Sequence, residues 1–155
     1  MIYKRLVSFI IFFAVFSNYA QTNKFESLIN SVKREFTDYV AVDTFYYQQF
    51  RTKIFYESVE SYDMLLGNVL SKDFQSFLVG GVSGSVIFFE FDKEIDEGGK
   101  GLLNSFLWGG GNQASALWPD ELVIYKNYLV IISFPYQSEQ AAKLKELLTS
   151  ELSLF

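Results

Sequence analysis

Between Ser85 and Asp92 the chain runs Val86, Ile87, Phe88, Phe89 and Phe91 with scarcely a polar break. Successive strand side chains point to opposite faces, so a strand with one wet face alternates apolar and polar residues. An almost unbroken apolar run predicts instead a strand covered on both faces and central to its sheet.

The flanking periodicities supply what would cover it. Phe25, Leu28, Ile29, Val32 and Phe36 recur at helical spacing and predict a helix over 23–36, with Asn23 as N-cap and Glu26 at the capping-box position. Tyr62, Leu65, Leu66, Val69, Leu70, Phe74, Phe77 and Leu78 continue that period. They predict helix over 59–78, broken at Gly67–Asn68, with Ser71 capping the second piece. Gly80, Gly81 and Gly84 then read as a loop. Residues 39–57 support two readings. Aromatic and β-branched residues favour strands at Tyr39–Tyr47 and Thr52–Tyr56, while Tyr46, Phe50 and Ile54 also fit a helix capped by Asp43.

Beyond the central strand, Gly98–Gly99–Lys100–Gly101 reads as a turn before a short helix whose apolar side is Leu102, Leu103, Phe106 and Leu107, ended by Gly109–Gly110–Gly111. Glu121–Tyr125 and Tyr128–Phe134 predict a hairpin around Lys126–Asn127. Alternation places Tyr128, Val130, Ile132 and Phe134 on one face and Leu129, Ile131 and Ser133 on the other. Ser138 caps a last helix lined by Ala141, Leu144, Leu148, Leu152 and Phe155. The expected fold is α+β: a small mixed or antiparallel sheet with helices packed on it, its C-terminal half running β-α-β-β-α.

The N-terminus carries an address. Lys4 and Arg5 precede the apolar run Leu6–Phe16, which passes through Ser17 and Asn18 to Ala20. This is the pattern of a secretory signal peptide over 1–20, and the run is shorter than the roughly 17–20 apolar residues a membrane span needs. Residues 21–155 are then expected as one exported domain with no stable membrane anchor after cleavage. The chain has no cysteine, so neither a lipid-bearing cysteine nor a disulfide is available and the core alone must hold it.

Without Lys4 and Arg5, the 13 basic and 18 acidic residues reduce to a net charge of −7. Residues 57–97 contribute nine acids against Lys72 and Lys93. That balance disfavours nucleic acid, which needs a basic stripe to meet phosphates. The chain also has no histidine, which removes the commonest general base and, with cysteine, the Ser–His–Asp and Cys–His systems. Gly81–Ser85 lacks the second glycine of a nucleophile elbow, and Gly98–Gly101 lacks the spacing of a phosphate loop.

Three functional expectations remain. The first is a non-enzymatic binding or assembly protein with a protein partner. The second is a small-ligand or carbohydrate binder using Tyr46, Tyr47, Trp108 and Trp118, with or without Ca²⁺ at the acidic run. There Asp92, Glu94 and Asp96 match positions one, three and five of a calcium loop, but Glu97 and Leu103 occupy its glycine and bidentate-glutamate positions. The third is a carboxylate-based hydrolase.

Overall fold

A computed structural model describes residues 23–155; the signal-peptide reading of 1–20 lies outside them. Along the chain come α1 (Lys24–Glu35), β1 (Val40–Val42), α2 (Phe50–Ser58), a 3₁₀ turn (Val59–Tyr62), α3 (Asp63–Leu66), β2 (Val69–Val79), β3 (Val82–Phe91), α4 (Glu97–Leu107), β4 (Glu121–Tyr125), β5 (Tyr128–Ser133) and α5 (Glu139–Leu152). The fold is α+β. Its five strands form one sheet in the order β1-β2-β3-β5-β4, every pairing antiparallel. Among the described residues, no helix is long and apolar enough to cross a membrane.

The apolar run of β3 does sit at the centre. Val86 and Phe88 face one cluster, with Leu28, Ile29 and Val32 of α1 and Ala141, Leu144, Leu148 and Leu152 of α5. Ile87, Phe89 and Phe91 face a second, with Phe55 of α2, Leu66 of α3 and Leu103 and Leu107 of α4. β5 divides as its alternation predicts: Tyr128, Val130 and Ile132 enter the first cluster, Leu129 and Ile131 the second. The caps also match. Asn23 accepts from the Phe25 N–H at 3.1 Å and Ser138 from the Ala141 N–H at 3.1 Å.

Several local expectations are corrected. Residues 69–78 are not a helix capped by Ser71; they belong to β2, paired along its length with β3. The Gly80–Gly81 dipeptide is a two-residue hairpin turn with φ of 59° and 75°, the conformation in which glycine is favoured at both central positions. Leu70, Phe74 and Phe77 share a helical spacing only by coincidence, and long-range pairing overrides it.

In 39–57 only Val40–Val42 is strand, Thr52–Tyr56 lies within α2, and the cap position belongs to Gln49 rather than Asp43. α4 begins at Glu97, so Gly98, Gly99 and Gly101 are helical. A Cβ on Gly99 would lie 3.0 Å from Ile95 Cγ2 and 3.2 Å from the Leu65 carbonyl, so that glycine serves close helix packing. At the β4–β5 turn the positive φ belongs to Lys126, while Asn127 spends its amide on the Phe91 carbonyl at 2.7 Å.

Gly84 lies inside β3, not in a loop, and is held there by sterics. A Cβ would fall 1.7 and 1.8 Å from Phe134 Cδ2 and Cε2. Gly84→Ala is therefore expected to lower stability by about 1–3 kcal/mol, the usual range for overpacking. Urea unfolding measures it, and Phe134→Leu in the same background should recover part of the loss.

Candidate functional site

One end of the sheet is built differently from the rest. Ser76 of β2 lies opposite Ser85 of β3, and Ser85 lies opposite Ser133 of β5. The three make a buried row across adjacent strands, on the face that carries Ile87 and Leu129. Buried hydroxyls need partners, and helices, whose backbone groups are already paired, cannot supply them.

Residues 43–49 do so by crossing the strands in irregular conformation. The Tyr46 N–H donates to Ser76 Oγ at 2.9 Å, Ser85 Oγ donates to the Tyr46 carbonyl at 2.7 Å, and the Gln48 N–H donates to Ser133 Oγ at 2.6 Å. This explains why the aromatic stretch leaves the strand after Val42.

The crossing segment delivers Gln49, Arg51 and Thr52 to the C-terminal end of α4. The Gln49 amide donates to the Leu107 carbonyl at 3.2 Å and the Arg51 guanidinium to the Phe106 carbonyl at 3.0 Å. A cation at the negative end of a helix dipole is favourable. Beside them lies Asp120, fully buried. The Thr52 hydroxyl donates to its Oδ2, while its Oδ1 and the Gln49 Oε1 are buried without a hydrogen-bond partner. Burial pushes the Asp120 carboxyl above the usual carboxylate range, and the Thr52 hydroxyl bond, with the nearby Ser133 and Gln49 side chains, offsets only part of that.

Three of the four aromatics singled out from sequence join the cluster that contains Asp120. The Trp108 indole N–H donates to the Asp120 carbonyl at 2.8 Å. Trp118, two residues before Asp120, carries the Arg51 guanidinium 4.4 Å from its ring centroid. Its indole also abuts Gly109, where a Cβ would come within 2.6 Å of Nε1. The Tyr46 phenol receives the Gln48 amide, and burial, followed by the Asp120 charge, raises its pKa. Tyr47 stands beside them, its ring 5.8 Å from Phe45 and 6.5 Å from Phe50.

All four are half-buried and engaged with the protein's own groups. Stacking a sugar on the Arg51-covered face of Trp118 requires displacing that guanidinium. The exposed apolar side chains nearby are others: Phe50 at 63%, Leu117 at 81% and Ile54 at 37% exposure. The i, i+4 spacing of Phe50 and Ile54 was a legible sign of a shared helix face; their exposure was not legible.

The acidic run is dispersed. β3 ends at Phe91, so the pleat does not continue through Asp92 and Glu94. Asp92 accepts the Asn68 side-chain amide at 2.6 Å and its backbone N–H at 2.8 Å, which hold its pKa low. Asp96 caps α4 by accepting the Gly99 N–H at 2.9 Å, which lowers its pKa too. Glu94 is exposed between them, and Glu90 pairs with Lys24. Among the described residues, no group of three or more His, Cys, Asp or Glu side chains is placed to hold a metal ion.

No protein family, curated protein or solved structure matches the chain.

The serine row carries its own prediction. Ser133→Ala leaves the part-buried Gln48 N–H without its acceptor, which is expected to cost about 1–3 kcal/mol. Chemical denaturation checks this. Ser133→Thr, which keeps the hydroxyl, should lose less.

Proposed function

We propose that this chain is an exported, non-enzymatic binding or assembly protein that meets a protein partner through the apolar surface around Phe50, Ile54 and Leu117. The observation that carries this reading is the strong exposure of Phe50 and Leu117, each next in sequence to one member of the Arg51–Trp118 stack. Single exposed apolar residues are ordinary. These two differ in their mounting, because Phe50 adjoins Arg51 and Leu117 adjoins Trp118, whose stack joins their segments. Presenting aromatic, aliphatic and arginine groups on a fixed frame lowers the ordering cost of association, and aromatics and arginine are enriched among residues that dominate binding energy.

Export rests on the pattern of residues 1–20. The absence of catalysis rests on a chain with no histidine or cysteine and on the one core carboxyl being enclosed by Thr52, Ser133 and Gln49. A second reading, a small-ligand binder, rests on a cleft of about 220 Å³ between Thr44, Phe45 and Tyr46 and the strand residues Ser76, Phe77 and Ser83. That volume is below the ~300–1,000 Å³ of pockets for drug-sized ligands.

The test is affinity capture from the exported fraction with the tagged full chain, beside the double variant Phe50→Ser/Leu117→Ser. Surface changes of this kind shift stability by only about ±0.5 kcal/mol, so both proteins should melt alike. The expected result is a protein retained by the wild type and lost with the variant, the bait itself beginning near Gln21. Equal retention by both proteins removes the proposed surface. Bait found only in the cytoplasm with residues 1–20 intact removes export.

A further inference from the structure

Asp120 is the one acidic or basic side chain in the core among the described residues, and its surroundings explain it poorly as an anion. We infer that Asp120 is a proton-operated latch: neutral, it joins α2 to residues 108–120, and its ionisation loosens the two halves of the Phe50–Leu117 surface from each other. The latch acts on that surface whether or not a partner binds there.

Buried polar atoms without partners call for an explanation, and this cluster contains two acceptors in that state, Asp120 Oδ1 and Gln49 Oε1. An anion at Asp120 leaves both without a donor. A proton on Oδ1 turns one acceptor into a donor, and Gln49 Oε1 is the acceptor in the same cluster that lacks one. The Gln49 side chain lies beside the carboxyl, and its influence favours the ionised form less than burial opposes it.

The charges facing Asp120 do not oppose this. From α2, Thr52 is neutral, and Arg51 is committed to the Trp118 ring and the Phe106 carbonyl. From the crossing segment comes the Tyr46 phenol, which is neutral until well into the alkaline range. β5 contributes the Ser133 hydroxyl and α4 the Trp108 indole N–H. On β4, the adjacent Glu121 pairs with Lys145 at 2.7 Å. Among the described residues, no lysine or arginine makes an ion pair with Asp120.

The connections show what a change in charge would move. Gln49 and Thr52 bracket Phe50 and Arg51, and Asp120 follows Leu117 and Trp118 by three and two residues. The Thr52–Asp120 bond and the Arg51–Trp118 stack join the same two segments. Because the folded-state pKa is raised, the stabilisation from a neutral Asp120 is complete below the unfolded value of about 3.9. It is lost as pH rises through the folded-state pKa.

The chain has two tryptophans, and Trp108 and Trp118 both touch this cluster. Selectively excited tryptophan emission therefore reports on the latch. With the full chain titrated from pH 4 to 9, the expected result is one reversible emission change centred above the ordinary carboxylate range, with far-ultraviolet circular dichroism unchanged. Asp120→Asn, neutral and of the same shape, should abolish it. Thr52→Val removes a donor that favours the ionised form and should move the midpoint upward. A flat wild-type titration, or a transition that persists in Asp120→Asn, overturns the latch. If Asp120→Asn does not fold, the side-chain ¹³C carboxyl shift of Asp120 in the wild type decides. A carboxyl that titrates above the ordinary carboxylate range upholds the proposal, and one that titrates within or below that range overturns it.

Discussion

Three serine hydroxyls on neighbouring strands organise one end of this molecule. Ser76, Ser85 and Ser133 form a buried polar row on a sheet face whose centre is apolar, and burying them without partners would cost roughly 1–3 kcal/mol each. Residues 43–49 meet that demand with backbone groups of their own, which fixes the path of the chain from the edge strand β1 to the start of α2. The position of α2 follows, and with it the placing of Gln49 and Arg51 on the last carbonyls of α4. Asp120 and the Arg51–Trp118 stack complete the assembly, so the exposed Phe50 and Leu117 inherit a frame set by side chains deep in the sheet.

The rest of the molecule is held by apolar packing on two faces. β3 and β5 contribute to both clusters, and helices close each side, so large aromatic side chains can be buried without any disulfide. The two faces differ in character. The α1–α5 face buries an apolar cluster drawn from β2, β3, β5 and β4, with Gln75, Asp73 and Glu90 on the same face outside it. The other combines an apolar centre under α2 and α4 with the serine row and the Asp120 cluster at its end. Polar groups in a dry setting fix geometry strongly when satisfied and cost heavily when not, so the same end of the sheet is both the most specified and the most sensitive to a change of charge.

The legibility of the elements follows the range of the forces that make them. α1 and α5 were readable because an apolar stripe and a capping side chain act within a few residues. β3 was readable because burial on both faces leaves an almost unbroken apolar run at Val86–Phe91. β2 was misread because Ser71, Lys72 and Asp73 interrupt its apolar residues, and those that remain fall at helical spacing. The Gly80–Gly81 turn was its clearest available signal. For the site, chemistry picked out Tyr46, Trp108 and Trp118, which the fold brings to one cluster. Asp120 carried no local mark, because a carboxylate after Trp118–Pro119 reads as an ordinary loop residue until the serine row and α2 are in place around it.

By itself the sequence determined a core-held α+β chain with a doubly covered central strand, an acidic balance concentrated in 57–97, and no histidine or cysteine chemistry. Those properties depend on composition and on periodicities a few residues long. The tertiary structure alone decided that 69–79 would be a strand, that 43–49 would cross the sheet, and that Asp92 and Asp96 would each turn to separate local backbone groups. It also enclosed Asp120 and left Phe50 and Leu117 exposed. Each of these outcomes depends on partners far along the chain: Thr52 is 68 residues from Asp120 and Gln48 is 85 from Ser133. Burial and hydrogen-bond satisfaction at such separations are settled only when the layers close.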